Sequence, residues 1–232
     1  MKIKAVRTTI FKPNENLISF IEKYFPIFTE KSILVVTSKI IALAEGRLVK
    51  YIDEKNKVKI IKGESDLVIK TKYVYLTIKD GTVMANAGVD ESNADGHLIL
   101  LPEDSFKSAF KIRKYFCDKH RLKNFGVIIT DSRCLLLRAG VVGIATGYAG
   151  FKGLKEYQGK LDIFKRPFVY ERVDVVDSLA TAAVLCMGEG DEKKPLALIN
   201  EAPVEYSERV NKNELKIDIK EDMYGPLFRR IK

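Results

Sequence analysis

The sequence predicts a single fold that mixes helices and strands, and three observations lead to this class. Ser32–Thr37 and Val127–Ile129 are short apolar runs rich in β-branched residues, as buried strands are. Ser105–Arg121 has apolar residues at helical spacing, and Lys79-Asp80-Gly81-Thr82 is a typical hairpin turn. With 232 residues, 46% of them hydrophobic and 31% charged, the chain can bury a sizeable core. No internal repeat or linker divides residues 1–232.

The first quarter of the chain predicts two strands, each followed by a helix. Lys2–Phe11 is expected to be a strand, and the helix after it has one apolar face, formed by Leu17, Phe20, Ile21 and Tyr24. The buried strand Ser32–Thr37 leads directly into a short helix from Ser38 to about Glu45, with Gly46 as its C-cap.

The next segment predicts short strands joined by turns. Lys50–Glu64 is rich in lysine and poorly periodic, which favours an exposed connection. Asp66–Lys79 alternates well enough for strands, and the hairpin turn leads into another strand at Val83–Asn86. His97–Leu101 is a further short apolar strand.

The second half begins with the predicted helix Ser105–Arg121, whose phenylalanines at 106, 110 and 116 are expected to lie in the core. Phe151–Arg166 is polar and punctuated by glycine, as a long loop or short helix would be. Phe168–Val176 predicts a strand, after which Asp177 would cap a helix of small residues ending at Met187. Leu196–Ile199 is the last predicted core strand.

Composition excludes several functional classes. The net charge is +9, but the lysines are dispersed and no basic block carries interleaved aromatics, so nucleic-acid binding is not predicted. Three widely spaced cysteines indicate free thiols in a reducing compartment, and two isolated histidines argue against a histidine-rich metal site. Any metal should be a hard cation bound by oxygen. The sequence has neither an apolar run of membrane-spanning length nor a signal peptide at its start, and predicts a cytoplasmic protein.

The stretch Phe125–Gly150 carries the first candidate chemistry. Its apolar run ends at Thr130-Asp131-Ser132, and we expect these side chains at the carboxyl end of a strand, where α/β sheets bind ligands. Arg133 and Arg138 follow, and then several glycines. An acid beside hydroxyls, guanidinium groups and flexible backbone suits a metal-bound phosphate. A capped strand end with a glycine-tolerant core segment explains this stretch equally well.

Three other segments carry weaker signals of the same kind. Thr37-Ser38-Lys39 offers helix-start amides, hydroxyls and a cation to an anion, although an ordinary serine cap explains it too. Residues 85–96 form an acidic, amide-rich loop whose spacing does not fit an EF-hand, because Pro102 takes the place of the bidentate glutamate. Gly188-Glu189-Gly190 could approach a triphosphate or simply end a helix. The common nucleotide-binding motifs are absent from the sequence.

Four blocks, in their order and spacing, resemble the coenzyme F420-0:γ-glutamyl ligase family over nearly the whole chain. They are VVTSKIIALAEGR at 35–47, ANAGVDESNADG at 85–96, GVIITDSRCLLLRAGVVGIATGYAG at 126–150 and VDSLATAAVLCMGEGDEKKPLALI at 176–199. The TDSR and LRAGVVG elements are most similar to a bacterial branch labelled as folate-metabolism γ-glutamate ligases.

The resemblance implies an α+β fold of two interlocked subdomains with mixed sheets, forming a homodimer. It implies a GTP-dependent ligase that activates a substrate carboxylate as an acyl phosphate, which the amine of L-glutamate then attacks. The acceptor would be similar to F420-0 or to a folate. The implied cofactors are two Mg²⁺ or Mn²⁺ ions, with room for K⁺.

The resemblance also assigns roles to individual residues. Asp90 and Asp131 would hold one divalent ion, while Ser132 and Glu189 would hold the second. Asp131 and Arg138 would be catalytic. The nucleotide would be lined by residues from four segments: Thr8, Thr9, Ile10, Phe11, Ser38, Lys39, Asn93, Met187, Gly188, Gly190, Asp191, Lys193 and Lys194.

Two positions depart from the family pattern. A family lysine falls at Leu43, although Lys39 lies one helical turn earlier on the same face and could supply the charge. The TDTxGR sequence of F420-type enzymes is replaced by residues 130–135, TDSRCL. The alternative to a ligase is therefore a regulatory or degenerate member that binds nucleotide and metal without ligase activity.

Overall fold

Strands and helices alternate irregularly along residues 1–229, the part of the chain that this computed structural model describes. The strands are β1 (Lys2–Val6), β2 (Ser32–Thr37), β3 (Leu48–Lys50), β4 (Leu67–Lys70), β5 (Tyr75–Lys79), β6 (Thr82–Ala85), β7 (His97–Ile99), β8 (Phe125–Arg133), β9 (Val142–Ala149), β10 (Leu154–Glu156), β11 (Arg172–Asp174) and β12 (Leu196–Asn200). The helices are α1 (Leu17–Tyr24), α2 (Ser38–Ala44), α3 (Glu54–Gly63), α4 (Ser105–His120), α5 (Val175–Met187) and α6 (Gly225–Arg229). None of these helices is long and apolar enough to cross a bilayer.

The central sheet has the strand order β1-β12-β2-β8-β9 and is mixed. β2 and β8 are parallel, with Thr37 opposite Thr130, whereas the other neighbouring pairs are antiparallel. The predicted α+β class is confirmed, and so are the predicted strands at Ser32–Thr37 and Leu196–Ile199, which correspond to β2 and β12. The predicted division into two interlocked subdomains stays a prediction.

Both faces of the central sheet are buried, which explains why its strands are continuously apolar rather than alternating. Leu34 and Ile129 belong to a core cluster shared with α1, α2 and α4. Ile33 and Ile128 belong to a second cluster on the α5 side. Each adjacent pair of residues therefore contributes one side chain to each layer.

A smaller sheet of β4, β5 and β6 and the pair β3–β7 complete the structure around residues 48–99. The predicted hairpin forms at Lys79–Thr82, where Asp80 and Gly81 both adopt the left-handed backbone conformation. A small cluster of Ile61, Val89, Leu98 and Leu100 forms a separate core here.

The expected exposed connection at Lys50–Glu64 is wrong, because Glu54–Gly63 is the helix α3. The Asp53 carboxylate caps this helix by accepting the Asn56 N–H at 2.7 Å, and Ile61 is fully buried against the small core. The lysines lie mainly on the outer side of α3. They therefore obscured a short apolar stripe in the sequence pattern.

Two other predicted boundaries are also wrong. The helix α5 begins at Val175 rather than Ser178, since Asp174 accepts the Asp177 N–H at 3.0 Å and is the true cap. The strand predicted at Phe168–Val176 is shorter in the structure, where β11 covers only Arg172–Asp174. In α4 the buried face runs through Ala109, Ile112 and Phe116, so Phe110 is 52% exposed instead of lying in the core.

Candidate functional site

A cavity of about 810 Å³ opens at the carboxyl ends of the parallel strands β2 and β8. Parallel strands end at the same edge of a sheet, and crevices form there because the chain leaves the sheet in different directions. The walls come from five segments of the chain, namely residues 8–11, 37–43, 84–95, 130–134 and 184–195, together with Val141.

Most of the predicted site residues line this cavity together. They are Thr8, Thr9, Ile10, Phe11, Lys39, Asp90, Asn93, Asp131, Ser132, Met187, Gly188, Glu189, Gly190, Asp191, Lys193 and Lys194. Ser38 lies behind the wall, where its hydroxyl donates to the Asp131 carboxylate at 3.3 Å. Arg138 does not reach the cavity, because it lies in the exposed loop between β8 and β9.

The strand β8 does not end before the acid, as the sequence suggested, but continues to Arg133. A β-bulge between Ile129 and Thr130 shifts the pairing with β9, which then continues to Arg133. The neighbouring β2 has already ended opposite Thr130. Asp131 therefore lies on a regular strand and still faces the crevice beyond the end of β2.

The Asp131 carboxylate is enclosed by the protein, and its burial raises its pKa above the ordinary value. Arg133, the Ser132 backbone N–H and the Ser38 hydroxyl oppose this effect, whereas the negative charge of Asp90 adds to it. A desolvated carboxylate beside a second acid lacks a full balancing positive charge, and a bound cation would supply it.

Asp90 forms an ion pair with Lys39, whose Nζ lies 2.8 Å from Oδ2. Burial alone would raise the pKa of Asp90, but Lys39 and the N–H and hydroxyl of Ser92 together lower it below its usual range. The loop that carries Asp90 holds Asn86 and Ala87 at φ values of 51° and 55°, in the left-handed region. Such strained non-glycine residues often occur at functional sites.

Glu189 and Ser132 meet across the cavity, since the Ser132 hydroxyl lies 2.7 Å and 2.9 Å from the two carboxylate oxygens. The loop after Glu189 folds back on itself, so that the Gly190 N–H donates to the Glu192 carboxylate at 2.8 Å. The Lys193 carbonyl accepts the Thr8 N–H at 2.8 Å and fixes the loop against the segment after β1.

The donor set fits hard divalent cations that share their coordination with a bound phosphate. Within residues 1–229, no three or more His, Cys, Asp or Glu side chains converge as a complete metal site. The oxygens come instead from Asp90 near Asp131 and from Ser132 near Glu189. Mg²⁺ in phosphate-transfer sites typically binds one or two carboxylates and completes its shell with water and phosphate oxygens.

Arg133, which the sequence placed beside Arg138 without assigning it a role, is the arginine of this pair that reaches the site. It is only 8% exposed, yet it lines the cavity, and its Nη1 donates to the Val83 carbonyl at 3.1 Å. Burial lowers the pKa of its guanidinium, and the carboxylates of Asp131 and Asp177 oppose that effect. Its position two residues after Asp131 on a strand was the available signal, because such residues share a face.

Comparison with known proteins agrees with this architecture. The family model described as F420-0:Gamma-glutamyl ligase matches residues 5–201. The coenzyme F420:L-glutamate ligase of Methanococcus maripaludis is 31% identical over 236 residues, which cover 93% of this chain and 94% of the relative. The ligases of the same name from Methanocaldococcus jannaschii and Methanopyrus kandleri are 33% and 32% identical, over 89% and 81% of this chain and 90% and 81% of their own. This chain therefore belongs to the F420-0:γ-glutamyl ligase family, as its four sequence blocks predict.

Proposed function

We propose that this protein is a nucleotide-dependent γ-glutamyl ligase that joins the amine of L-glutamate to the carboxylate of an organic acceptor. The observation that carries the proposal is the convergence of Asp90, Asp131 and Glu189 on one cavity beside a glycine-bearing loop. The reaction needs this cavity to hold a nucleoside triphosphate and a carboxylate next to each other. A volume of about 810 Å³ lies within the range of small-molecule sites and provides that space.

The acids divide naturally between two cation positions. Asp90 and Asp131 would hold one Mg²⁺ or Mn²⁺ ion, and Ser132 and Glu189 would hold the other. Bound there, divalent cations supply neutralisation of the phosphate charge and stabilisation of the charge that develops as the terminal phosphoryl group moves. Lys39, released from Asp90, could then reach an anionic group in the cavity. We also propose that the site accepts K⁺ as an additional ion.

The nucleotide, for which we propose GTP, would lie along the wall formed by residues 8–11 and 187–194. Lys193 and Lys194 provide positive charge, and Gly188 and Gly190 allow close approach of the backbone. Asn93 and the strand end at Thr8–Phe11 would line the remaining part. The γ-phosphate end would face Asp131, so that an acceptor carboxylate placed there receives the phosphoryl group and becomes an acyl phosphate. The glutamate amine then displaces inorganic phosphate and forms the amide.

For the acceptor we propose a molecule similar to F420-0 or to a folate. The curated relatives are named for F420, which favours the first. The residues after the acid, TDSRCL at 130–135, differ from the F420-type pattern, which favours the second. We also propose that the protein works as a homodimer.

The experiment is to incubate the purified protein with isotope-labelled L-glutamate, each nucleoside triphosphate, Mn²⁺ and a cell extract. We expect release of nucleoside diphosphate and a labelled amide product, identified by mass spectrometry. Asp131→Asn should abolish both, whereas Asp118→Asn, on the exposed side of α4, should leave both unchanged. Turnover retained in Asp131→Asn would contradict the proposal.

A second candidate is a regulatory member that binds the nucleotide without consuming it. The exposed position of Arg138 favours this candidate, because one of the two predicted catalytic residues does not line the cavity. Both candidates predict thermal stabilisation by GTP with Mn²⁺. Only the ligase converts GTP to GDP when glutamate and extract are present, so the same incubation separates the two.

A further inference from the structure

Arg133 places a buried positive charge in the cavity wall with most of its hydrogen-bonding capacity unused. A guanidinium carries N–H donors on all three nitrogens. Nη1 donates to the Val83 carbonyl at 3.1 Å, while Nε is buried and has no partner. Within residues 1–229 the guanidinium forms no other hydrogen bond. Buried donors without acceptors are costly, so this side chain is arranged for an acceptor that comes from outside the chain.

The neighbouring acids do not supply that acceptor. Asp131 and Asp177 both attract the Arg133 guanidinium electrostatically, but neither carboxylate forms an ion pair or hydrogen bond with it. Asp131 faces Ser38, and Asp177 accepts the Ala145 N–H at 2.8 Å. The charge of Arg133 is therefore balanced at a distance, while its remaining donors have no partner in the part of the chain that the structure describes.

The surroundings of Arg133 indicate what kind of anion fits. Met84 follows Val83 in β6, and Val141 precedes Val142, the partner of Arg133 in β9; both Met84 and Val141 line the cavity. Val184 also lines it and packs on Gly143, where an added Cβ would lie only 2.4 Å from it. This end combines apolar walls with one guanidinium, which suits the carboxylate of an organic acid. The lysines and the glycine loop that suit a triphosphate come from the 187–194 segment.

We propose that Arg133 is the substrate carboxylate-binding residue of this cavity and determines its specificity for an organic acid. Its free N–H groups would bind the two oxygens of one carboxylate side by side, as arginine does with planar oxyanions. The inference rests on the proposed ligase function for the identity of the organic acid. Both substrates of that reaction carry carboxylates, so the ligand is either L-glutamate or the acceptor.

The test measures binding by titration calorimetry, with and without Mg²⁺ and a non-hydrolysable GTP analogue. L-glutamate is the probe for the amine substrate, and N-acetyl-L-glutamate, whose amine is blocked, is the probe for the acceptor side. We expect Arg133→Gln to weaken one of these by about tenfold or more, as loss of charge-assisted hydrogen bonds requires. Arg209→Gln, a matched control at an exposed arginine outside the cavity, should bind both probes like the wild type. The probe that is weakened identifies the substrate.

The affinity for the GTP analogue serves as the internal control, since it should stay within about twofold of the wild type if the cavity is intact. Arg133→Lys keeps the charge without the paired donors, and we expect an intermediate affinity from it. If Arg133→Gln does not fold, the Lys variant alone provides the measurement. Loss of GTP-analogue affinity in place of carboxylate affinity, unchanged affinity for both carboxylates, or a wild-type protein that binds neither carboxylate would overturn the inference. Carboxylate binding through Arg133 in a protein that makes no labelled amide would refute the ligase function alone.

Discussion

Asp177 should make the protein less stable as the pH rises, and the structure shows why. Its carboxylate lies in the first turn of α5 between β9 and the cap residue Asp174. Burial, followed by the proximity of Asp174, raises its pKa from 3.8 to about 6. A group of this kind is held in the fold more easily when it is protonated.

The size of the effect follows from the linkage between proton binding and folding. Because the folded-state pKa of about 6 lies well above the ordinary value of 3.8, the effect on the free energy of unfolding is about 3 kcal/mol at most. Between about pH 4 and pH 6 the folded protein binds more protons at this site than the unfolded chain, so the free energy of unfolding falls as the pH increases. Below that range the site is protonated in both states and the penalty vanishes.

Asp177→Asn removes the charge and keeps an oxygen that can accept the Ala145 N–H, which Asp177 now binds at 2.8 Å. At about pH 3 we expect the variant and the wild type to have similar free energies of unfolding. At about pH 7.5 we expect the variant to be more stable than the wild type by about 2–3 kcal/mol. Urea denaturation followed by circular dichroism at both pH values measures the change. Asp118→Asn, with an exposed carboxylate, controls for the loss of one negative charge. A difference between variant and wild type that is the same at both pH values would refute the reasoning.

Three other changes test separate parts of the structure. Gly147→Ala should destabilise the protein by roughly 1–3 kcal/mol or more, because the added Cβ would lie 2.4 Å from the Ser105 backbone; thermal unfolding measures this, and an unchanged midpoint would count against the packing described. Glu192→Gln should bind GTP with Mn²⁺ several-fold more tightly, because the variant lacks the Glu192 carboxylate that accepts the Gly190 N–H and would repel the phosphates. Weaker binding in calorimetry would contradict this. Iodoacetamide should modify the exposed Cys134 and Cys186 faster than Cys117, because burial raises the pKa of the Cys117 thiol. GTP with Mn²⁺ should protect Cys134 alone, because Cys134 lines the cavity. Mass spectrometry of the labelled peptides measures this, and equal protection of Cys186 would contradict it.

The sequence predicts those parts of the fold in which one physical requirement dominates. Ser32–Thr37 has to be apolar at every position, because both faces of β2 are covered, and such a run is recognisable at once. In α3 the requirement is weaker, since a single fully buried residue, Ile61, anchors a helix otherwise covered with lysines. The local sequence pattern also could not show whether Asp174 or Asp177 caps α5. Both residues are acids, and which of them is the cap depends on how the start of the helix packs against β9.

The same reasoning applies to the site. Asp90, Asp131 and Glu189 are separated by 41 and 58 residues in the sequence, and only their resemblance to family blocks grouped them before the fold was known. Arg133 and Arg138 look equivalent in the sequence. The strand β8 ends between them, which turns one towards the cavity and leaves the other in solvent. Such a distinction depends on where a strand ends, and the ends of elements are the least predictable feature of a sequence.

The backbone holds Asp90 and Asp131, the two acids proposed to share a cation, in different ways. Asp131 belongs to β8, which is paired on both sides up to Thr130 and with β9 beyond it, whereas Asp90 is held by a single antiparallel bridge to Ile99, directly before the loop 91–96. Amide hydrogens around Asp131 should therefore exchange with solvent only when the whole fold opens, and those of residues 91–96 should exchange through local opening. We therefore expect the shape of the proposed cation site to be adjusted by the loop 91–96 rather than by β8.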